Sequence, residues 1–231
     1  MNNIEKAYRA LIGADALLIG ASNGLSIAEG YHLFANNDMF QQQFGDFQRQ
    51  YGIKSVLEGC FFDYPDEDAR KSFVNRLIQY WIKDYHPSQV MKDLLGVVDD
   101  KDYFILTTNA DTHLELSGFE PTRVFEMEGT FFQLGRQISF EDKTLRLRNF
   151  LARYHNRRLV LLELGVGRNN RLIKQPLMQW AASEPLATYI TLNFASELYI
   201  PQTIASKSIG LEGDIANTLR QLRESLLSLK S

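Results

Sequence analysis

The chain predicts a doubly wound α/β fold on a parallel, Rossmann-like sheet, and three observations carry that reading. Five short apolar runs recur, "ADALLIG" (14–20), "YFILTT" (103–108), "TRVFEM" (122–127), "RLVLLEL" (158–164) and "ATYITLN" (187–193), each of strand length. Helix-length segments separate them. The runs end in or just before Gly, Asn, Asp or Glu, residue types that line a crevice more readily than they fill a core. Strands alternating with helices form parallel βαβ units, whose ligands bind at the carboxyl ends of the strands.

Taken in order, Ile4, Ala7, Leu11 and Ile12 recur at helical spacing and lead into the first strand. Further helices are expected over 66–83, 88–97, 170–182 and 213–227. Two stretches break the alternation. The aromatic-rich segment within 31–90 reads as a helical insertion forming part of a small lobe. The segment 130–142, with "TFFQLGRQISF", reads as a hairpin turning at Gly135-Arg136. With neither an internal repeat nor a low-complexity linker, residues 1–231 are expected to form a single domain.

Composition narrows the function classes. The 231 residues are 45% hydrophobic and 23% charged, ordinary for a globular chain. A net charge of −3 with dispersed Lys and Arg lacks the basic footprint that neutralises phosphates, so no nucleic-acid partner is expected. No apolar run approaches the ~20 residues of a membrane span. The start, "MNNIEKAYRALIG", is charged and amphipathic and has no apolar core of a secretory signal, so the expected location is cytoplasmic, away from membranes. Cys60 is the sole cysteine and reads as a small buried apolar residue; intrachain disulfides and multi-thiolate zinc sites are excluded. His32, His86 and His155 are scattered without metal-ligand spacing, and His113 suits either the pocket beside Asp111 or a solvent-facing helix start. The acidic run "DYPDED" (63–68) suits the first turn of the helix that follows.

Candidate chemistry sits at the strand ends. After the first strand, "IGASNGLSIAEG" places Gly20, Gly24 and Gly30 around a segment able to turn tightly and present N–H groups to a pyrophosphate, although glycine there also serves a plain βα turn. "LLELGVGRNN" repeats the pattern with Gly165, Gly167, Arg168 and Asn169; "LTTNADTH" supplies Asn109 and Asp111; another strand ends at Asn193. Asn and Asp in these positions also cap helices. In "FEMEGTF" (125–131), strand alternation would put Phe125 and Met127 on one face and Glu126 and Glu128 on the other. Glu126 is expected to be structural and Glu128 to face the cleft.

The order "GASNGLSIAEG", "TTNAD", "FEMEG", "LGVG", "TLN" and "GDIANTLRQL" resembles the sirtuins over nearly the whole chain, and is most similar to the macrodomain-linked class M sirtuins of microbes. That resemblance implies NAD as cofactor and an NAD-dependent protein ADP-ribosyltransferase that modifies a lipoylated carrier protein, with a macrodomain protein as partner. It implies that Gly20, Ala21, Ser22, Asn23, Gly24 and Ser26 hold the pyrophosphate, with Phe34 at the aromatic near nicotinamide. It further implies that Asn109 and Asp111 contact the nicotinamide side, and that Gly165, Gly167, Arg168 and Asn193 line the adenosine half. Glu128 falls at the position where deacylating sirtuins carry a His base and class M members a Gln. The sequence also departs from the family by lacking the zinc-binding cysteines after that position. The expected function is ADP-ribosyl transfer without conventional deacetylation, the alternative being an inactive NAD or ADP-ribose sensor.

Overall fold

The computed structural model describes residues 2–98 and 100–228. From the start run α1 (Asn3–Gly13), β1 (Ala16–Ala21), α2 (Asn23–Ala28), α3 (Asp38–Tyr51), α4 (Val56–Cys60) and α5 (Glu67–Ile78). The middle of the chain forms α6 (Gln89–Val98), β2 (Asp102–Thr107), α7 (His113–Leu116), β3 (Val124–Glu126) and α8 (Glu141–Arg153). Then come β4 (Leu159–Leu164), α9 (Lys174–Ser183), β5 (Thr188–Asn193), β6 (Ser208–Glu212) and α10 (Ile215–Leu227).

All strand pairs are parallel, and the spatial order is β3-β2-β1-β4-β5-β6. The order reverses between β1 and β4, where diverging connections leave a crevice above the carboxyl ends. Both faces are covered. Leu17 and Ile19 of β1 join the core under α1, α6 and α10, while Ala16 and Leu18 join the opposite core under α8 and α9. This two-sided burial is why the strands read as continuous apolar runs. A third core unites Phe40, Phe44, Phe47, Phe73 and Trp81 of the helical insertion with Phe131.

Several expectations change. The segment 130–142 contains no strand: Phe131–Gln133 is a 3₁₀ turn in which Thr130 and Gln133 cap one another, so the hairpin is replaced by a coil. Phe131 donates its N–H to the Ala110 carbonyl (2.8 Å) and buries its ring in the insertion's core, contacts a free-standing hairpin would not make. The helix expected over 66–83 ends as α5 at Ile78 and continues as a π-helical turn, Gln79–Lys83. Asp66 caps α5, accepting the Ala69 N–H at 2.7 Å, which accounts for the acidic run before it. The helix expected from 170 begins only at Lys174, because residues 171–173 form a turn in which Asn170 Oδ1 accepts the Ile173 N–H at 2.7 Å. β3 is three residues long, since Pro121–Arg123 is a 3₁₀ turn and Met127 and Glu128 already turn towards Gly129, whose φ is +79°. Glu128 therefore does not continue the strand alternation with Glu126. Neither α8 nor the edge strand β6 was anticipated.

Candidate functional site

The candidate site is built at the switch point. β1 passes into α2 through Ser22 alone, so the turn is tighter than the glycines suggested. Three of its N–H groups are already engaged: Ser22 donates to Leu164 O (3.2 Å), Gly24 to Gly165 O (3.1 Å) and Leu25 to Ser22 O (2.8 Å). These three N–H groups are therefore taken up by the neighbouring strand end and by the start of α2. Gly24 and Gly165 instead meet backbone to backbone. A Cβ on Gly24 would lie 2.5 Å from Gly165 Cα. Gly20 belongs to β1 beneath α9, where a Cβ would strike the Leu177 and Ile173 side chains; with Ala21 it serves sheet packing and lies outside both cavities described below.

The end of β2 is tied to this turn. The hydroxyls of Ser22 and Thr108 are 2.8 Å apart, and Asn109 Nδ2 donates to Ser22 O at 3.3 Å. Asn109 Oδ1 is buried with no donor from the described residues. A buried acceptor without a partner costs on the order of 1–3 kcal/mol, so this atom is suited to a ligand N–H or O–H. Asp111 accepts from Ser26 Oγ (2.6 Å) and from the His113 N–H (3.1 Å). Between them Thr112 adopts φ +58°, a left-handed conformation that a β-branched residue rarely takes.

Two cavities open over these strand ends. The first, about 440 Å³, is lined by Asn109, Asp111, Ser26 and Glu128, with an apolar wall that includes Trp81 and Phe131. The second, about 560 Å³, is lined by Ser22, Gly24, Gly165, Gly167 and Asn193, together with Glu197 and Asp214. Asn23 and Phe34 line both, so the two chambers adjoin. Phe34 is 48% exposed and stands between them as a partition rather than as core. Asn193 is anchored by donating to Val166 O at 2.9 Å. Arg168 lies outside both linings; its N–H donates to Glu197 Oε2 (2.7 Å) and its guanidinium covers the Tyr199 ring. Glu128 is exposed at the first chamber, whereas Glu126 is buried and ion-paired with Lys143 of α8. Cys60, expected in the core, is half-buried in the first chamber's wall, and burial pushes its thiol up to about 12. Among the described residues, no group of three His, Cys, Asp or Glu side chains converges on a metal-sized position, and no helix is long and apolar enough to cross a membrane.

Residues missed from the sequence stand behind these walls. Glu163 and Lys174 are both fully buried and paired, with Tyr189 and Thr191 hydroxyls completing the carboxylate's shell at 2.5 and 2.7 Å. Glu115 of α7 faces Glu126, and burial followed by that neighbouring carboxylate pushes its carboxyl up to about 8. Glu115 Oε2 is buried with no hydrogen-bond partner among the described residues, and a proton held there beside the Glu126 carboxylate accounts for both the raised value and that oxygen. A carboxyl raised in the folded state contributes stability below its unfolded value that is lost as pH rises through the folded one. Stability is therefore expected to fall between about pH 5 and pH 9, and Glu115→Gln to flatten that fall by about 1–2 kcal/mol in denaturant titrations. An unchanged pH slope in the variant contradicts the shared proton.

No family model matches the chain. A Sir2 homologue solved with NAD superposes with a TM-score of 0.56 at 13% identity, covering 98% of this chain and 95% of that one. The fold is that of the Sir2 homologues. A sirtuin from a study of substrate affinity reaches a TM-score of 0.64 at 12% identity, covering 97% of this chain and 99% of the other. A Sir2 homologue mutant bound to 2′-O-acetyl ADP-ribose gives 0.59 at 14%, covering 100% and 98%. In sequence, the chain is 21% identical over 271 aligned positions to a protein ADP-ribosyltransferase of Staphylococcus aureus strain Mu50, covering 93% of this chain and 85% of the relative.

Proposed function

We propose that this protein binds NAD across the two chambers, cleaves its nicotinamide–ribose bond and passes ADP-ribose to a protein side chain, as a zinc-less, class M-like relative of the sirtuins and not as a deacetylase. The observation that carries the reading is the orphaned Asn109 Oδ1 beside Asp111 in one chamber, joined through Asn23 and Phe34 to a second chamber where Gly24 and Gly165 meet. The ligand is two nucleosides joined by a pyrophosphate, and the paired chambers suit that shape. Gly24 and Gly165 approach backbone to backbone in the wall of the second chamber, which a Cβ on either would prevent, and Asn109 supplies an acceptor for a carboxamide or hydroxyl donor. Likeness to Sir2 homologues solved with NAD and ADP-ribose derivatives, and to the Staphylococcus protein, supports the same reading.

In this reading the bonding pair of the glycosidic bond leaves with nicotinamide, the acceptor attacks the ribosyl carbon, and any proton on the acceptor passes to water. Asp111 and Asn109 hold the nicotinamide side. Glu128, exposed in the same chamber, stabilises positive charge growing on the ribose. A carboxylate there is a poor relay for ribose protons, hence the absence of deacetylation. By resemblance to class M sirtuins, the acceptor is a lipoylated carrier protein and a macrodomain protein reverses the modification, in the cytoplasm.

The test is a thermal-shift titration combined with a nicotinamide-release assay, with and without candidate acceptors. At 100 times its dissociation constant NAD adds about 2.7 kcal/mol of stability. The second chamber carries Glu197 and Asp214, so the extra phosphate of NADP meets like charge and binds about tenfold or more weakly. No shift with millimolar NAD overturns the reading; a shift without nicotinamide release leaves the sensor in its place; equal shifts with NAD and NADP refute the charge argument.

A further inference from the structure

His113 is fully buried directly behind Asp111, and each of its ring nitrogens faces an oxygen. Nε2 lies 2.8 Å from the Trp81 carbonyl, which only accepts, so Nε2 carries a proton. That carbonyl lies in the π-helical turn that closes the α5 segment. Nδ1 lies 3.0 Å from Glu29 Oε2, and the other oxygen of Glu29 accepts from both Tyr85 (2.7 Å) and Ser88 (2.6 Å). A carboxyl taking two hydroxyl donors on one oxygen and facing a ring nitrogen with the other is best satisfied as a carboxylate. Nδ1 is then a donor as well, and the ring is an imidazolium. Asp111 Oδ2 lies 3.9 Å from the same nitrogen, while Asp111 Oδ1 accepts the His113 backbone N–H. One cation thus stands between two carboxylates, one of which lines the first chamber.

We propose that His113 is a permanently protonated counter-ion shared by Glu29 and Asp111, a positioning residue that keeps the Asp111 carboxylate anionic and turned into the chamber. The surrounding groups support a fixed charge. Tyr85 stacks on the ring at 3.8 Å between centroids and Tyr31 meets it edge-on at 4.6 Å. Burial pushes the Tyr31 hydroxyl up to about 12 and the Tyr85 hydroxyl higher still, so both stay neutral wherever His113 titrates. Tyr80, against Tyr31, is raised by burial too. Ser26, Ser88 and Ser117 complete the shell as neutral hydroxyls. Burial by itself would lower the imidazole's value, but the Glu29 hydrogen bond and the charges of Asp111 and Glu29 outweigh it, and the net direction is upward. Without the cation, two carboxylates would share a dry site, and one would take up a proton or turn away. The consequence for ligand is specific: an anionic Asp111 favours a positively charged ring in the chamber, which is the form nicotinamide takes in NAD. This last step rests on the proposed NAD reading; the charge state does not.

Two measurements separate the parts. In histidine-labelled, ligand-free protein, nitrogen NMR should find both His113 ring nitrogens protonated at about pH 8, where an unperturbed imidazole is already neutral. A ring nitrogen without a proton at that pH overturns the proposal whatever NAD does, and that measurement requires no variant to fold. Secondly, H113Q removes the charge and should weaken NAD binding about tenfold or more. The double variant E29Q/H113Q restores the charge balance and should recover most of that loss. If His113 only fills space, the double variant is no better than H113Q, and the positioning role fails. Should wild-type protein not bind NAD, the functional reading fails while the NMR result still decides the charge state.

Discussion

Glu128→Ala should lower nicotinamide release and ADP-ribosyl transfer by about a hundredfold, roughly 2.7 kcal/mol of transition-state stabilisation, and leave NAD affinity within a few-fold of wild type. The side chain is exposed in the turn after β3, so its removal opens no core cavity and leaves no buried partner unpaired. Loss of activity would therefore report on chemistry and not on folding. In the proposed role the carboxylate acts on ribosyl charge that grows only as the glycosidic bond breaks, so turnover should fall and binding should not. Glu128→Gln sharpens the test: it keeps shape, removes charge and installs the residue type that the class M resemblance implies. Activity that falls with Gln shows that charge is what matters; activity that survives or rises assigns the role to hydrogen bonding. Steady-state assays with unchanged turnover in Glu128→Ala would remove Glu128 from the reaction.

The contrast with Glu126 shows what the sequence made legible. Both carboxylates sit in one short motif, and strand alternation assigned them one face; the strand ends at Glu126, so one is buried against Lys143 while the other lies in a turn at the first chamber. Periodicity located the sheet because β1, β4 and β5 are apolar on both faces and bounded by turn residues. The same test was silent on β6: "SIGLE" is an edge strand, short and part-exposed, with Gly210 in its middle. It was silent on α8 as well, where Leu147 and Phe150 are the buried side chains of a helix otherwise rich in charge. Asn109, Asp111, Glu128 and Asn193 were legible as polar residues following apolar strands. Glu29 and the Glu163–Lys174 pair were not, and for His113 the sequence left a place beside Asp111 and a solvent-facing helix start both open, of which the structure shows the buried one. Their partners lie 84 residues apart for Glu29 and His113, and 11 residues apart for Lys174 and Glu163, on different elements. Glu163 sits inside an apolar strand, where a charged residue surrounded by leucines was a signal of a paired buried group that the strand reading passed over.

Gly165→Ala should cost about 2–5 kcal/mol of stability and also abolish the NAD-induced thermal shift, because two separate penalties fall on one atom. Gly165 has φ +60°, a left-handed conformation that costs any residue with a Cβ about 1 kcal/mol or more. Its Cβ would moreover stand 2.5 Å from Gly24 Cα, 2.6 Å from Gly24 C and 2.8 Å from Ile215 Cδ1. Two of those neighbours are backbone, so relief requires the β1–α2 turn to move away from β4, breaking the Gly24 N–H to Gly165 O bond of 3.1 Å. That turn is where the two chambers adjoin, through Asn23. Gly52→Ala is the matched control: Gly52 caps α3 with φ +77° and a Cβ there meets nothing within 4 Å, so it bears the conformational cost alone. Denaturant titrations should place Gly165→Ala below Gly52→Ala by about 1–3 kcal/mol, the overpacking contribution. The two variants should also separate in function, with the NAD shift retained in Gly52→Ala and lost in Gly165→Ala even after correction for the lower melting point. Equal destabilisation by both would mean that the approach of Gly24 to Gly165 is not close enough to matter, and a retained shift in Gly165→Ala would move the pyrophosphate away from this turn.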